Sequence, residues 1–137
     1  MLVSQILKIK GDLVFTVAPA ETVQSAAALL HARKVGAMVV LDPQDNVIGI
    51  VSERDLQLLE RFHPVEPNDD DFTVEDAMTR DVFAVPDDMP LGDVVATMAA
   101  HKYSSAVVTS GDTVVGIFTT VDALRSIHTL LDGGDAA

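Results

Sequence analysis

The chain has 137 residues and a formal net charge of −12, with 21 acidic residues against 9 basic ones. Binding along a nucleic-acid backbone needs a face of Lys and Arg, so this charge balance argues against a nucleic-acid partner. No apolar stretch reaches the roughly 18 residues of a membrane span, so no membrane partner is expected. The chain has no cysteine, which excludes disulfides and thiolate metal sites and fits a reducing cytoplasm. The 4 histidines show no ligand spacing, so no metal site is expected.

The first half of the chain predicts the order strand, helix, strand, strand, helix. A short β-branched strand covers Val14–Val17, and the helix Thr22–Arg33 follows it with Thr22 as its N-cap. Two strands joined by a hairpin turn, Ala37–Leu41 and Val47–Val51, come next. They lead into a second helix that begins at Ser52.

The second half repeats this order about 68 residues later. Its predicted elements are a strand at Val82–Val85, a helix at Leu91–His101, strands at Ala106–Thr109 and Val114–Phe118, and a helix that begins at Thr119. One residue is lost between the two hairpin strands, in the turn-type stretches 42–46 and 110–113, where changes of length are tolerated. The predicted fold class is therefore α/β, built from duplicated β-α-β-β-α repeats related by pseudo-twofold symmetry.

The repeat also predicts the domain organisation. Residues 1–62 form the first repeat, 63–72 an exposed linker with prolines and acids, 73–131 the second repeat, and 132–137 a frayed tail. A short capped helix in Thr73–Met78 leads into the second repeat. Val3–Leu7 plays that part for the first repeat.

Each repeat closes on a glycine, two apolar residues, a hydroxyl residue and, three residues later, an aspartate. The motif reads Gly-Ile-Val-Ser-Glu-Arg-Asp at 49–55 and Gly-Ile-Phe-Thr-Thr-Val-Asp at 116–122. The motif stands twice in a duplicated unit, and the stretch Val-Glu-Asp-Ala-Met-Thr at 74–79 precedes the second repeat. For these reasons the chain resembles a tandem pair of CBS domains (a Bateman module) over residues 3–131. The resemblance implies a regulatory module that binds an adenine nucleotide, such as AMP, ADP, ATP or NADH. It also implies no catalytic activity and an unidentified protein target.

The motif residues suit a nucleotide on physical grounds. Ser52 and Thr119 stand where a strand passes into a helix, whose N-terminus offers unpaired N–H groups and partial positive charge to a phosphate. Asp55 and Asp122 can accept hydrogen bonds from ribose hydroxyls, and Arg54 adds a forked cation for phosphate oxygens. The resemblance implies the same roles. The same spacing also matches a capping box, which only starts a helix, and the two interpretations are compatible.

The two motifs differ in the residue before the aspartate. The first has Arg54, whereas the second has Val121 at that place, and the second site also includes Thr120. We therefore expect the Asp55 site to bind nucleotide more tightly and to lose more affinity as salt rises, because its advantage is electrostatic.

The resemblance further implies that each base packs against strand edges of the opposite repeat. For the ligand of Asp122 these residues are Val17, Ala18, Gly36, Ala37 and Met38. For the ligand of Asp55 they are Val85, Tyr103, Ser104, Ser105 and Ala106. The alternative is that these are ordinary core-strand residues.

Two helices predict a further partner. The stretches Ala26–Leu30 and Val94–Ala100 have almost no polar residues, and a helix that is apolar all round needs cover all round. The other repeat can supply that cover, but a second chain is favoured, so a homodimer is expected. The alternative function is accordingly a structural homodimerisation module with vestigial ligand sites. An enzyme is disfavoured because no acid–base or nucleophile constellation is present.

Overall fold

The computed structural model describes residues 1–10, 14–62 and 72–132. The chain divides into two compact units. The contiguous unit spans Phe15–Val82, and the split unit joins Met1–Val14 to Phe83–Ala137. Of the predicted linker 63–72 and tail 132–137, all but Phe72 and Asp132 lie outside the described residues.

The described elements alternate helices with short strands. In chain order they are α1 (Val3–Lys10), β1 (Thr16–Val17), α2 (Val23–Arg33), β2 (Ala37–Leu41), β3 (Val47–Ser52), α3 (Glu53–Phe62), α4 (Val74–Ala77), β4 (Ala84–Pro86), α5 (Leu91–His101), β5 (Ser105–Ser110), β6 (Thr113–Thr119) and α6 (Thr120–Leu131). The predicted order β-α-β-β-α therefore occurs twice, and the predicted α/β class is confirmed.

Each unit contains a three-stranded mixed sheet with the same topology. The sheet orders are β1-β2-β3 and β4-β5-β6. The first strand of each sheet runs parallel to the second, and the second runs antiparallel to the third. Both hairpins carry a register shift at the same place, between Val40 and Leu41 and between Val108 and Thr109. The repeat in the sequence is thus a repeat in backbone geometry.

The hairpin turn between β2 and β3 is organised by Asp42. Its Oδ1 accepts hydrogen bonds from the backbone N–H groups of Gln44 and Asn46, both at 2.9 Å. These bonds stabilise the charged carboxylate, and the largest effect, from the Asn46 backbone, holds the pKa of Asp42 below its ordinary value of 3.8. Positions 42–46 lie between the paired residues Leu41 and Val47, and positions 110–113 lie between the equivalent pair Thr109 and Val114, so the predicted loss of one residue falls in this turn.

Helices α2 and α5 end in the same unusual way. Their C-caps are Lys34 and Lys102, with left-handed φ values of 55° and 59°, a conformation that glycine adopts at much lower cost. At the other end of α2, the predicted cap is confirmed, because the Thr22 hydroxyl accepts a bond from the Ser25 N–H at 3.1 Å.

The short helices α1 and α4 precede the first and the second sequence repeat. Each of them packs in the compact unit whose sheet belongs to the other repeat. Helix α1 belongs to the split unit, where the Val3 N–H bonds the Met89 carbonyl at 2.9 Å. Helix α4 belongs to the contiguous unit, where the Val74 N–H bonds the Glu21 carbonyl at 2.8 Å. The compact units therefore have different bounds from the sequence repeats.

These two lead-in segments, residues 3–8 and 74–79, also explain the glycine of each motif. A Cβ on Gly116 would lie 2.6 Å from Leu7 Cδ1, and a Cβ on Gly49 would lie 2.7 Å from Met78 Sδ. Each glycine sits in the third strand of its sheet, where a lead-in side chain crosses it. Glycine suits both positions because a Cβ there would overlap the lead-in segment unless that segment moved.

Each unit has its own apolar core. The core of the split unit includes Val3, Leu7, Val94 and Phe118. The core of the contiguous unit includes Val17, Ala26, Leu30, Val51 and Val74. Helices α2 and α5 bury one face in these cores, whereas their other face exposes small residues such as Ala27, Ala28, Ala96 and Ala99.

Across the described ranges, no helix is long and apolar enough to span a membrane.

Candidate functional site

The first candidate site lies where β3 passes into α3. Asp55 Oδ2 accepts hydrogen bonds from the backbone N–H and from the hydroxyl of Ser52, both at 2.9 Å. In return, the Ser52 hydroxyl oxygen accepts a bond from the Asp55 N–H at 3.1 Å. This reciprocal pair is a capping box, so the carboxylate starts the helix as one of the two interpretations predicts.

The second candidate site, where β6 passes into α6, has the same arrangement. The Thr119 N–H donates to Asp122 Oδ2 at 2.8 Å, and the Asp122 N–H donates to Thr119 Oγ1 at 3.2 Å. The exposure of the two aspartates differs, because Asp122 is only 8% exposed whereas Asp55 is half-buried. The carboxylate of the first site is therefore the more accessible one.

The backbone N–H groups at these junctions are largely occupied. The Glu53 N–H bonds the Gly36 carbonyl, and the Thr120 N–H bonds the Ser104 carbonyl, both at 3.0 Å. Within the part of the chain that the structure describes, the N–H groups of Arg54 and Val121 have no acceptor. Each helix N-terminus thus keeps one N–H group for an anion, and only α3 has a guanidinium on that same residue.

One further residue joins the first site. The Thr79 hydroxyl donates to Asp55 Oδ1 at 3.2 Å. The sequence analysis did not single out this residue for the site, although the stretch 74–79 that contains it was noted as typical of tandem CBS domains. Its contact with Asp55 spans 24 positions, and no local spacing signals it.

The residues predicted to meet the base fall into two groups. Buried positions are Val17, Met38, Val85 and Ala106, each within a core cluster. The accessible or half-buried positions are Ala18, Gly36, Ala37, Tyr103, Ser104 and Ser105. The Tyr103 ring stacks with Phe83 at 5.1 Å and with His101 at 5.2 Å between ring centroids. The core-strand alternative describes the first group, and contact of any of these residues with a base stays a prediction.

The site offers hydroxyl, carboxylate and guanidinium groups rather than a metal cluster. Among the residues described, no group of three or more His, Asp or Glu side chains is placed to hold a metal ion. The chemistry available at the β3–α3 junction is hydrogen bonding to hydroxyls and charge pairing with an anion.

Comparison with known sequences agrees with this geometry. Residues 10–59 and 74–129 match the family model of the CBS domain. An uncharacterized 17.7 kDa protein of Acidianus ambivalens is 32% identical over 98% of this chain and 79% of its own length. Inosine-5'-monophosphate dehydrogenase of Methanocaldococcus jannaschii is 27% identical over 82% of this chain, but the match covers only 21% of that enzyme.

Solved structures show the same architecture. A CBS-domain-containing protein of Agrobacterium tumefaciens superposes with a TM-score of 0.79 at 29% identity, covering 90% of this chain and 91% of that one. The CBS domain pair of protein MJ0100, solved with 5'-methylthioadenosine and S-adenosyl-L-methionine, gives a TM-score of 0.78 at 25% identity, with coverage of 93% and 96%. The chain therefore belongs to the CBS-domain family and carries two CBS domains in tandem.

Proposed function

We propose that this CBS-domain pair is a regulatory module that binds an adenine nucleotide, of the AMP, ADP, ATP or NADH class, and signals to a protein target without catalysing a reaction. One observation carries the proposal. The β3–α3 junction carries a hydroxyl on Ser52, a guanidinium on Arg54 and a carboxylate on Asp55, and the Arg54 N–H has no acceptor among the described residues. The adenosine-derived ligands of the MJ0100 pair support an adenosine moiety.

The proposed roles follow from charge and hydrogen-bonding capacity. A phosphate would accept from the Arg54 N–H and pair with the Arg54 guanidinium at the positive end of the α3 dipole. The ribose hydroxyls would donate to Asp55. Glu53 in the same turn and the net charge of −12 oppose an anion, and the positive charge of Arg54 offsets this repulsion.

The two sites are proposed to differ in affinity. Val121 replaces the cation at the second junction, and Asp122 is nearly buried. A charge-assisted hydrogen bond contributes about 1.5–3 kcal/mol, and the exposure of Arg54 favours the lower end of that range. We expect the Asp55 site to bind AMP about tenfold more tightly than the Asp122 site.

Calorimetry with AMP and adenosine tests the proposal. Arg54→Ala should weaken AMP binding about tenfold and leave adenosine binding unchanged, because only AMP carries the phosphate. Arg61→Ala is the matched control, since Arg61 is also exposed and stands in the last turn of the same helix. If neither AMP, ADP, ATP nor NADH binds the parent protein, the proposed function is wrong.

A second function, homodimerisation, is favoured by the surface of α6. Val121, Leu124, Ile127 and Leu131 are all exposed large apolar residues, with Leu124 at 65%. Their spacing of three or four residues places them on one face. We propose that a second copy of the chain covers this face, because α2 and α5 expose mainly small alanines. Light scattering should show a dimer that Leu124→Glu dissociates, and a monomeric parent at micromolar concentration would contradict this function.

A further inference from the structure

We infer that Thr79 lowers the affinity of the Asp55 site for a ligand with two neighbouring hydroxyls, relative to a ligand with one hydroxyl. The inference rests on the proposed function, and it deepens it by naming the part of the ligand that the site distinguishes. Its basis is the way in which the two oxygens of Asp55 are already used in the free protein.

The two carboxylate oxygens of Asp55 differ in free capacity. Each carboxylate oxygen can accept about two hydrogen bonds. Oδ2 is filled by the N–H and the hydroxyl of Ser52, and breaking these bonds would uncap α3. Oδ1 accepts one bond, from the Thr79 hydroxyl, among the described residues. A ligand that leaves the helix cap intact must therefore bind Oδ1.

A single ligand hydroxyl and a pair of hydroxyls place different demands on Oδ1. One hydroxyl can use the acceptor position that Thr79 leaves open. The neighbouring 2' and 3' hydroxyls of a ribose need both positions, so the Thr79 hydroxyl has to turn away. Binding of a ribose therefore costs the hydrogen bond between Thr79 and Asp55, which lowers the affinity. Binding of a deoxyribose leaves this bond in place.

Only the hydroxyl of Thr79 has to move. The Thr79 backbone is fixed to β3 by two hydrogen bonds, Thr79 N–H to the Ile50 carbonyl at 2.8 Å and Ile50 N–H to the Thr79 carbonyl at 3.0 Å. The preceding Met78 is buried against Gly49. Because the Thr79 side chain is exposed, its hydroxyl can rotate towards water while the segment stays in place.

The competing threonine occurs in only one of the two lead-in segments. The two lead-in segments align with Val3 at the place of Val74 and Leu7 at the place of Met78, and all four side chains are buried. The same alignment puts Lys8 at the place of Thr79. The lead-in segment in the unit of Asp122 thus has no threonine hydroxyl at the equivalent position.

Thr79→Val tests the inference, because valine keeps the shape of threonine and removes the hydroxyl. Calorimetry should show that the variant binds adenosine about fivefold to tenfold more tightly than the parent, with binding of 2'-deoxyadenosine unchanged to within about twofold. Thr113→Val is the matched control, an exposed threonine in β6 of the other unit, and it should leave both affinities unchanged.

The possible outcomes separate this inference from the proposed function. Weaker or unchanged adenosine binding by Thr79→Val, or an equal gain for both nucleosides, overturns the role of Thr79 while the binding function stands. No binding of adenosine or of any adenine nucleotide by the parent and the variant overturns both.

Discussion

Replacing Gly116 by alanine is the sharpest test of how the lead-in segments pack. A Cβ at this position would lie 2.6 Å from Leu7 Cδ1 and 2.8 Å from Leu7 Cδ2. Carbon atoms in contact normally stay about 3.5 Å or more apart, so Leu7 has to move by about 1 Å. Leu7 is only 3% exposed, and its movement therefore disturbs the core of the split unit.

The expected loss of stability is moderate. Overpacking of this kind costs about 1–3 kcal/mol. Alanine recovers about 0.5–1 kcal/mol of that, because it is less flexible than glycine in the unfolded chain. Gly116→Ala should therefore lower the free energy of unfolding by about 1 kcal/mol, the middle of the range of about 0–2.5 kcal/mol that these two effects leave. Urea denaturation measures it, with Gly92→Ala as the control, since a Cβ on Gly92 meets nothing within 4 Å.

A double-mutant cycle identifies the cause. Leu7→Ala alone should cost about 2–5 kcal/mol by leaving a cavity. In the double variant the methyl group introduced at position 116 has room, so the combined loss should fall short of the sum of the single losses by about 1 kcal/mol or more. Additive losses in this cycle would refute the packing of Leu7 on Gly116.

The matching glycine of the other motif should behave differently. A Cβ on Gly49 would lie 2.7 Å from Met78 Sδ and also 2.9 Å from the Thr79 backbone oxygen. Shortening Met78 removes only the first of these contacts. Met78→Ala should therefore rescue Gly49→Ala much less than Leu7→Ala rescues Gly116→Ala in the same denaturation assay.

The remaining predictions concern backbone strain and pH. Lys34→Gly and Lys102→Gly should each stabilise the protein by about 0.5–1 kcal/mol in urea denaturation, because both lysines have left-handed backbone conformations; a loss of stability would contradict this. Asp42→Ala should destabilise the protein at about pH 7 and less so at about pH 3. The pKa of Asp42 is lower in the folded protein than 3.8, so its stabilisation is present above that value and is lost as the pH falls through the folded pKa. An equal effect at both pH values would show that the carboxylate charge is not involved.

The sequence predicts most of the fold because its signals are local. The bounds of α5 and β2 match the predictions, since a proline, a cap or a turn marks each end. The strands around Val14 and Val82 are shorter than predicted, with only Thr16–Val17 and Ala84–Pro86 paired in the sheets. In the candidate sites, the spacing of Ser52 and Asp55 correctly predicts a capping box.

The packing of the lead-in segments could not be predicted in the same way. Both segments carry the same spacing of buried residues, Val3 with Leu7 and Val74 with Met78, and both sheets offer a motif glycine to cover. The spacing of apolar residues therefore allows either lead-in segment to pack against either sheet. The contact of Thr79 with Asp55 depends on this choice, and so it also escaped the sequence reasoning.

The split composition of one unit has a consequence for synthesis on the ribosome. Residues 15–82 of the contiguous unit emerge in one stretch, and this unit can close before the rest of the chain is made. Leu7 cannot pack against Gly116 until Gly116 has been synthesised, more than 100 residues later. At about 5–20 residues per second, that interval lasts about 5–20 seconds. During this time the apolar face of α1 has no sheet of its own, and a chaperone or a neighbouring nascent chain has its best opportunity to bind it.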